Sequence, residues 1–252
     1  MRAMWTAAAG MSTQQAAVDV TANNVANANT PGFKRAVAAV IELAREEARP
    51  ATSEFPALEV GTGSGALATL SVVTQGPLVE TGVPTHLALE GDGFFVLEGP
   101  QGPVYTRAGQ FRISPDGYLV SMHGWRVRGA GAIPREAVGL AVGRDGRVLA
   151  VMPDGTQREV GRIVLARFRA PSALASAGDG CYRESPASGP PEEVRPGERG
   201  AGVVLQGFLE RSNVDLAQEM VSLIAAQRVY EVCAKVIQVG DEMLATANSI
   251  KR

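Results

Sequence analysis

Helix-breaking residues are concentrated in the middle of this chain. Of its 29 glycines, 26 lie from Gly61 to Gly207, leaving Gly10, Gly32 and Gly240 outside, and no proline follows Pro196. Inside a helix glycine costs about 1 kcal/mol relative to alanine, and proline about 3. Long helices are therefore permitted at the two ends, and the stretch between them must turn often. With 252 residues, 45% hydrophobic and 20% charged, the chain has the apolar content of a folded protein. The expected class is α+β: long N- and C-terminal helices pairing as a coiled coil, with a central all-β domain. The expected divisions are an N-terminal helix with its motif at 1–34, an extended arm or linker at 35–66, a β-rich domain at 67–207 and a C-terminal helix at 208–252.

The first helix is legible as a heptad. Met4, Ala8, Met11, Gln15, Val18, Ala22 and Val25 alternate in steps of four and three, so Met4, Met11, Val18 and Val25 are candidate packing residues. The other faces are unusual. Before Lys34 the only charged side chains are Arg2 and Asp19, where a 20% share would give about seven. A surface helix ordinarily carries charge opposite its apolar stripe. Ala, Ser, Thr, Gln and Asn in its place suit a helix enclosed by several neighbours, including copies of itself. Pro31 ends the helix by driving its predecessor out of the α region. Gly32 accepts whichever backbone sign the turn needs, and Phe33 is the first large anchor beyond it. Asn23, Asn24, Asn27 and Asn29, with Thr30, hydrogen-bond without charge, which fits a contact both dry and specific.

At the other end Ser212-Asn213-Val214-Asp215 has the form of a capping box with Ser212 as the cap. A helical pattern follows to about Ile250. One seam is Leu216, Met220, Leu223, Gln227, Tyr230, Ala234, Ile237 and Leu244; a second is Val229, Cys233, Val236, Gly240, Met243, Ala247 and Ile250. Leu216, Met220, Leu223, Tyr230, Ile237 and Leu244 are the candidate packing residues. Two apolar seams require burial on more than one side. A helix of over about 50 Å, at 1.5 Å per residue, needs a partner, and the N-terminal helix is the first one available.

Between the helices Phe94-Phe95-Val96-Leu97 reads as a short apolar strand. Ser114-Pro115-Asp116-Gly117, Asp145-Gly146 and Pro153-Asp154-Gly155 read as hairpin turns, and Ser185–Gly200 as a loop. Residues 35–56 are partly helical in composition and suit an extended arm equally. No enzyme emerges. Cys181 and Cys233 form neither a CxxC pair nor a disulfide framework, and His86 and His123 lack metal-ligand spacing. Gly61-Thr62-Gly63-Ser64-Gly65-Ala66 lacks the strand-before, helix-after context of a dinucleotide site. No cofactor or metal is expected. A net charge of −2 offers no overall basicity for nucleic acid, although Arg126, Arg128, Arg162, Arg167 and Arg169 suggest a basic strand face. No apolar run reaches 18 residues, so membrane insertion is not expected, and the short alanine-rich start is read as retained. A β-rich hydrolase or carbohydrate-binding protein with helical ends would require a cleft holding perturbed carboxylates.

The stretch Ala22-Asn23-Asn24-Val25-Ala26-Asn27-Ala28-Asn29-Thr30-Pro31-Gly32-Phe33-Lys34 resembles the N-terminal signature of bacterial flagellar axial proteins, the basal-body rod and hook family. The likeness continues at Gly91-Asp92-Gly93-Phe94-Phe95, Tyr105–Phe111, Gly117-Tyr118-Leu119-Val120, Gly207–Asp215 and Met220–Glu231, across nearly the whole chain. Among the members of that family the chain looks most like the distal-rod proteins, with a proximal-rod paralogue as the alternative. The resemblance implies a non-catalytic structural subunit, exported unfolded through the flagellar type III apparatus without a cleaved signal. Such subunits polymerise with their own copies into the helical driveshaft that crosses the periplasm. The resemblance also implies contacts with other rod proteins, the hook, the surrounding rings and the export apparatus. The assembly motif would be Asn23, Asn24, Asn27, Asn29, Thr30, Gly32 and Phe33. Removing residues 1–33 is then expected to leave a soluble β domain that does not polymerise.

Overall fold

A computed structural model describes residues 2–43, 45–49, 58–61 and 63–250. Helix α1 spans Arg2–Ala26 and helix α2 spans Leu216–Ile250, with strands between them. The chain divides into two compact units. The first holds the described residues of 1–26, 36–70 and 215–252; the second holds 27–35 and 71–214. The expected boundaries fall elsewhere as a result. Residues 27–35 belong with the β domain, and residues 67–70 belong with the helices.

In the first unit α1 and α2 pack against each other. A Cβ on Gly240 would lie 2.9 Å from Met4 Cγ, and one on Gly10 would lie 3.1 Å from Cys233 Sγ. At the other end Asn24 Nδ2 donates to Glu219 Oε2 over 3.1 Å. The start of α1 thus meets the late turns of α2, so the pair is antiparallel. Small residues at the contact line let the two backbones close. Beside α1 lies an arm of four strands: β1 (Ala36–Glu42) pairs with β4 (Ser64–Ser71), and β2 (Arg45–Arg49) pairs with β3 (Leu58–Gly61). The described residues of this stretch are extended, not helical, and of residues 35–56, 44 and 50–56 lie outside the described residues. A strand, β4, stands where a dinucleotide site in the Gly61–Ala66 stretch would need a helix.

The second unit is built around the strand Phe94–Gly99. Its apolar run has no alternation because both faces are buried. Phe95 and Leu97 enter one core with Leu87, Val104 and Ile163, while Phe94 and Val96 enter another with Tyr105 and Tyr182. One edge of the strand pairs with Gly102–Thr106; the other is shared by Leu165–Arg167 and Arg126–Val127, all antiparallel. The three turns read from sequence close the hairpins around Gly117, Gly146 and Gly155. Two expectations need correction. The Ser185–Gly200 loop contains a strand, Glu192–Val194, paired with Leu165–Arg167. Buried Val194 holds it in place among charged and proline neighbours that mask its pattern. The cap of α2 is Asp215, not Ser212. Asp215 Oδ1 accepts from the amides of Ala217 (2.9 Å) and Gln218 (3.3 Å), while Ser212 Oγ accepts from Val214 outside the helix.

Because residues 27–35 are part of the β unit, the informative truncation ends at residue 26. A chain lacking 1–26 is expected to keep the melting temperature of the β unit. One lacking 1–33 forfeits the Gly32 amide bond to the Glu210 carbonyl (2.8 Å) and is expected to melt about 3–8 °C lower. Equal melting temperatures for the two truncations would place the boundary back at residue 34.

Candidate functional site

Three of the segments that carry the resemblance converge inside the second unit on one carboxylate. Glu210, 1% exposed, accepts from Lys34 Nζ at 2.5 Å and from the Gly76 amide at 2.8 Å through Oε1. Its Oε2 accepts from Arg107 Nη1 at 3.3 Å. Lys34 also donates to the Thr74 carbonyl (2.7 Å), and its side chain has no exposed surface. Burial pulls the Lys34 and Arg107 pKa values down, and the Glu210 charge opposes that pull on both. Ion pairs of this kind are held at a heavy desolvation cost, so they specify an arrangement more than they stabilise it.

The backbone around this cluster is equally constrained. Gly32 has a φ of 72°, and a Cβ there would lie 2.3 Å from the Ala108 amide nitrogen. A larger residue is excluded on both counts. Asn213 accepts from the Arg35 amide (2.7 Å) and donates to the Val72 carbonyl (2.8 Å). Tyr182, buried beside the cluster, hydrogen-bonds Ser71 and the Lys34 backbone, and burial pushes its hydroxyl pKa up to about 12.

The first unit has its own polar node. Asn24, 1% exposed, accepts from the Ala36 amide and donates to the Ala36 carbonyl, both at 2.8 Å, as a neighbouring strand would. Its remaining Nδ2 hydrogen goes to Glu219 on α2, so one amide ties α1, β1 and α2 together.

The candidate motif residues do not form one surface. Asn23 and Asn24 lie in the first unit, Asn23 exposed; Asn27, Asn29, Thr30, Gly32 and Phe33 lie in the second. Thr30 Oγ1 donates to Asn27 Oδ1 (3.1 Å), and Asn29 Oδ1 accepts from Arg211 (3.2 Å). Phe33 is half-buried, and the fully buried anchor is its neighbour Lys34. Sequence reasoning passed over Lys34, Arg107 and Glu210 because charged residues read as surface unless a partner is known. On α1, Met4, Met11, Val18 and Val25 are half-buried, and Ala7, Thr21 and Asn24, each one residue before a position of the heptad, are buried. On α2 Leu223 and Ile237 are half-buried, whereas Leu216, Met220, Tyr230 and Leu244 are exposed. The stripe facing α1 is Glu219, Leu223, Ala226, Cys233, Ile237 and Gly240. A second stripe, Val229, Val232, Val236, Val239 and Met243, also advances by three and four, and every one of its residues is 41–63% exposed. It lies roughly 100° round the helix from the first.

Two measurements check the cluster. Glu210→Gln leaves two buried cations without their anion and is expected to cost about 3–5 kcal/mol in urea denaturation. Lys34→Met, which leaves one cation facing one anion, is expected to cost less; the reverse order would refute the cluster as described. The second concerns alkaline stability. The folded protein holds the Tyr182 proton up to about pH 12, while the unfolded chain releases it near 10.0. Its contribution is therefore intact below pH 10 and is lost as pH climbs to 12, about 3 kcal/mol over the window. Tyr182→Phe is expected to flatten that part of the stability profile, and an unchanged slope would contradict the buried hydroxyl.

Residues 4–34 match the family described as flagella basal body rod protein, residues 88–150 the flagellar hook protein FlgE/F/G D1 domain, and residues 205–250 the flagellar basal body rod FlgEFG protein C-terminal region. The flagellar basal-body rod protein FlgG of Borreliella burgdorferi is 38% identical over 100% of this chain and 99% of its own length. That of Buchnera aphidicola subsp. Baizongia pistaciae is 37% identical over 96% of both. The flagellar basal-body rod protein FlgF of Caulobacter vibrioides is 35% identical over 91% of this chain and 89% of its own length. The chain belongs to the flagellar basal-body rod protein family.

Proposed function

We propose that this chain is a structural subunit of the flagellar basal-body rod, in its distal segment, and that it polymerises with its own copies through its terminal helices. The observation that carries the reading is the bare stripe on α2, five large apolar side chains at coiled-coil spacing. Full burial of side chains of this size is worth about 1.5–3 kcal/mol each, so leaving the stripe in water is costly. The exposed face of α1 complements it: Trp5 is 76% exposed, and Asp19 is the one charge among Ala8, Ser12, Gln15, Ala22, Asn23 and Ala26. Neighbouring copies that cover both faces would make a coiled-coil inner layer. The same contact repeated head to tail generates an open helical polymer, not a closed ring. The distal assignment is supported by relatives named FlgG that match across the full chain, against a shorter match to FlgF. Placement across the periplasm, export without a cleaved signal, and contacts with other rod proteins, the hook, the rings and the export apparatus all follow from that assignment.

Val236→Asp tests the stripe. The residue is exposed in the single chain, so circular dichroism and the melting temperature are expected to hold within about 2 °C. Sedimentable polymer and motility are expected to vanish, because an unpaired charge enclosed in an apolar contact costs several kcal/mol. Leu223→Asp, on the stripe facing α1, is expected to disrupt the helix pair as well, and Val25→Asp to block assembly. Normal motility in a Val236→Asp strain, or a closed small oligomer at all concentrations, would overturn the reading.

A further inference from the structure

The second unit holds a cavity of about 250 Å³ that the assembly reading does not use. Phe94 and Phe168, ring centroids 6.0 Å apart and edge to face, form part of its wall, and Arg107, Arg167 and Arg169 line it with Asp92 as the one carboxylate. Arg107 is 3% exposed; its Nη1 reaches Glu210, but its buried Nε has no hydrogen-bond partner. Arg167 donates to the Arg199 carbonyl, and among the described residues neither Arg167 nor Arg169 has an ion-pair partner. Arg107 is already paired with Glu210, so two guanidiniums without an ion-pair partner, Arg167 and Arg169, share with Asp92 a recess that has aromatic walls and the unsatisfied Arg107 Nε. A guanidinium presents planar, forked donors that match a carboxylate two bonds at a time. The volume is below that of a drug-sized pocket and suits a small acidic group.

We infer that this cavity is a carboxylate-binding site, filled by an acidic side chain of a second copy of the chain or by a free small dicarboxylate. The site stands apart from the rod assignment; only the choice of a neighbouring copy as the source rests on it.

The test uses the full chain below its assembly concentration, titrated with glutarate by calorimetry. Saturable one-to-one binding is expected. Arg169→Glu, an exposed position, is expected to weaken it about tenfold or more. Arg158→Glu, an exposed charge reversal outside the cavity, is expected to leave it unchanged. No saturable binding to the parent chain, or equal weakening by Arg158→Glu, would overturn the proposal. Sedimentation then separates the two sources. If glutarate raises the concentration needed for assembly and Arg169→Glu assembles poorly, the natural occupant is a neighbour's acidic side chain. If glutarate binds while assembly is unmoved by either, it is a free dicarboxylate.

Discussion

A carboxylate with no access to water governs how the second unit is put together. Glu210 must have its charge answered where it lies, and its three donors come from Lys34, Gly76 and Arg107, residues far apart in the chain. None of the three segments supplies a tolerable environment for the charge alone. The cluster therefore favours one arrangement of three segments over all partly assembled ones, since each missing donor leaves a charge buried and unpaired. Gly32 and Asn213 follow from this. The chain reaches Lys34 through a left-handed turn pressed against the backbone at Ala108, and Asn213 holds the Arg35 amide just beyond.

The two units differ in how completely they cover themselves. The second has cores on both faces of Phe94–Gly99. In the first, α2 covers one stripe with α1 and leaves another in the open. Monomeric proteins rarely leave contiguous apolar surface of this kind exposed. The low charge of α1 belongs to the same logic, because its outward face carries little that a neighbour would have to desolvate.

Much of this was legible in the sequence, and the parts that were not share a cause. The helix ends and the central β region follow from where glycine and proline are absent, and the stop after Ala26 from Pro31-Gly32. Phe94–Leu97 was visible because a continuous apolar run needs no partner to be recognised. Lys34 and Glu210 were not, since burial of a charge is decided by a residue elsewhere in the chain. Part of the α1 contact line is hidden for a related reason. Met4, Met11, Val18 and Val25 are its larger apolar residues, and Met4 does meet Gly240, but the contact also runs through small residues that carry no such signal, buried Ala7 and Gly10, which faces Cys233. The cap at Asp215 was displaced from Ser212 because both residues have capping chemistry, and hydrogen bonding of the local backbone decided between them.

Small residues at a helix contact bring a difficulty of their own. Alanine and glycine pack closely but hardly distinguish one register from the next, so an antiparallel pair seamed by them needs something else to stop it sliding. Asn24 supplies it, because its amide is satisfied only when Ala36 and Glu219 are both in place. Gly10 against Cys233 and Gly240 against Met4 restrict the other end, where any added Cβ would crowd its neighbour. Advancing α2 by a single residue would turn its bare stripe by roughly 100°, away from any partner set to receive it. In this subunit the polar bond inside the helix pair thus sets the direction in which the apolar stripe outside it faces.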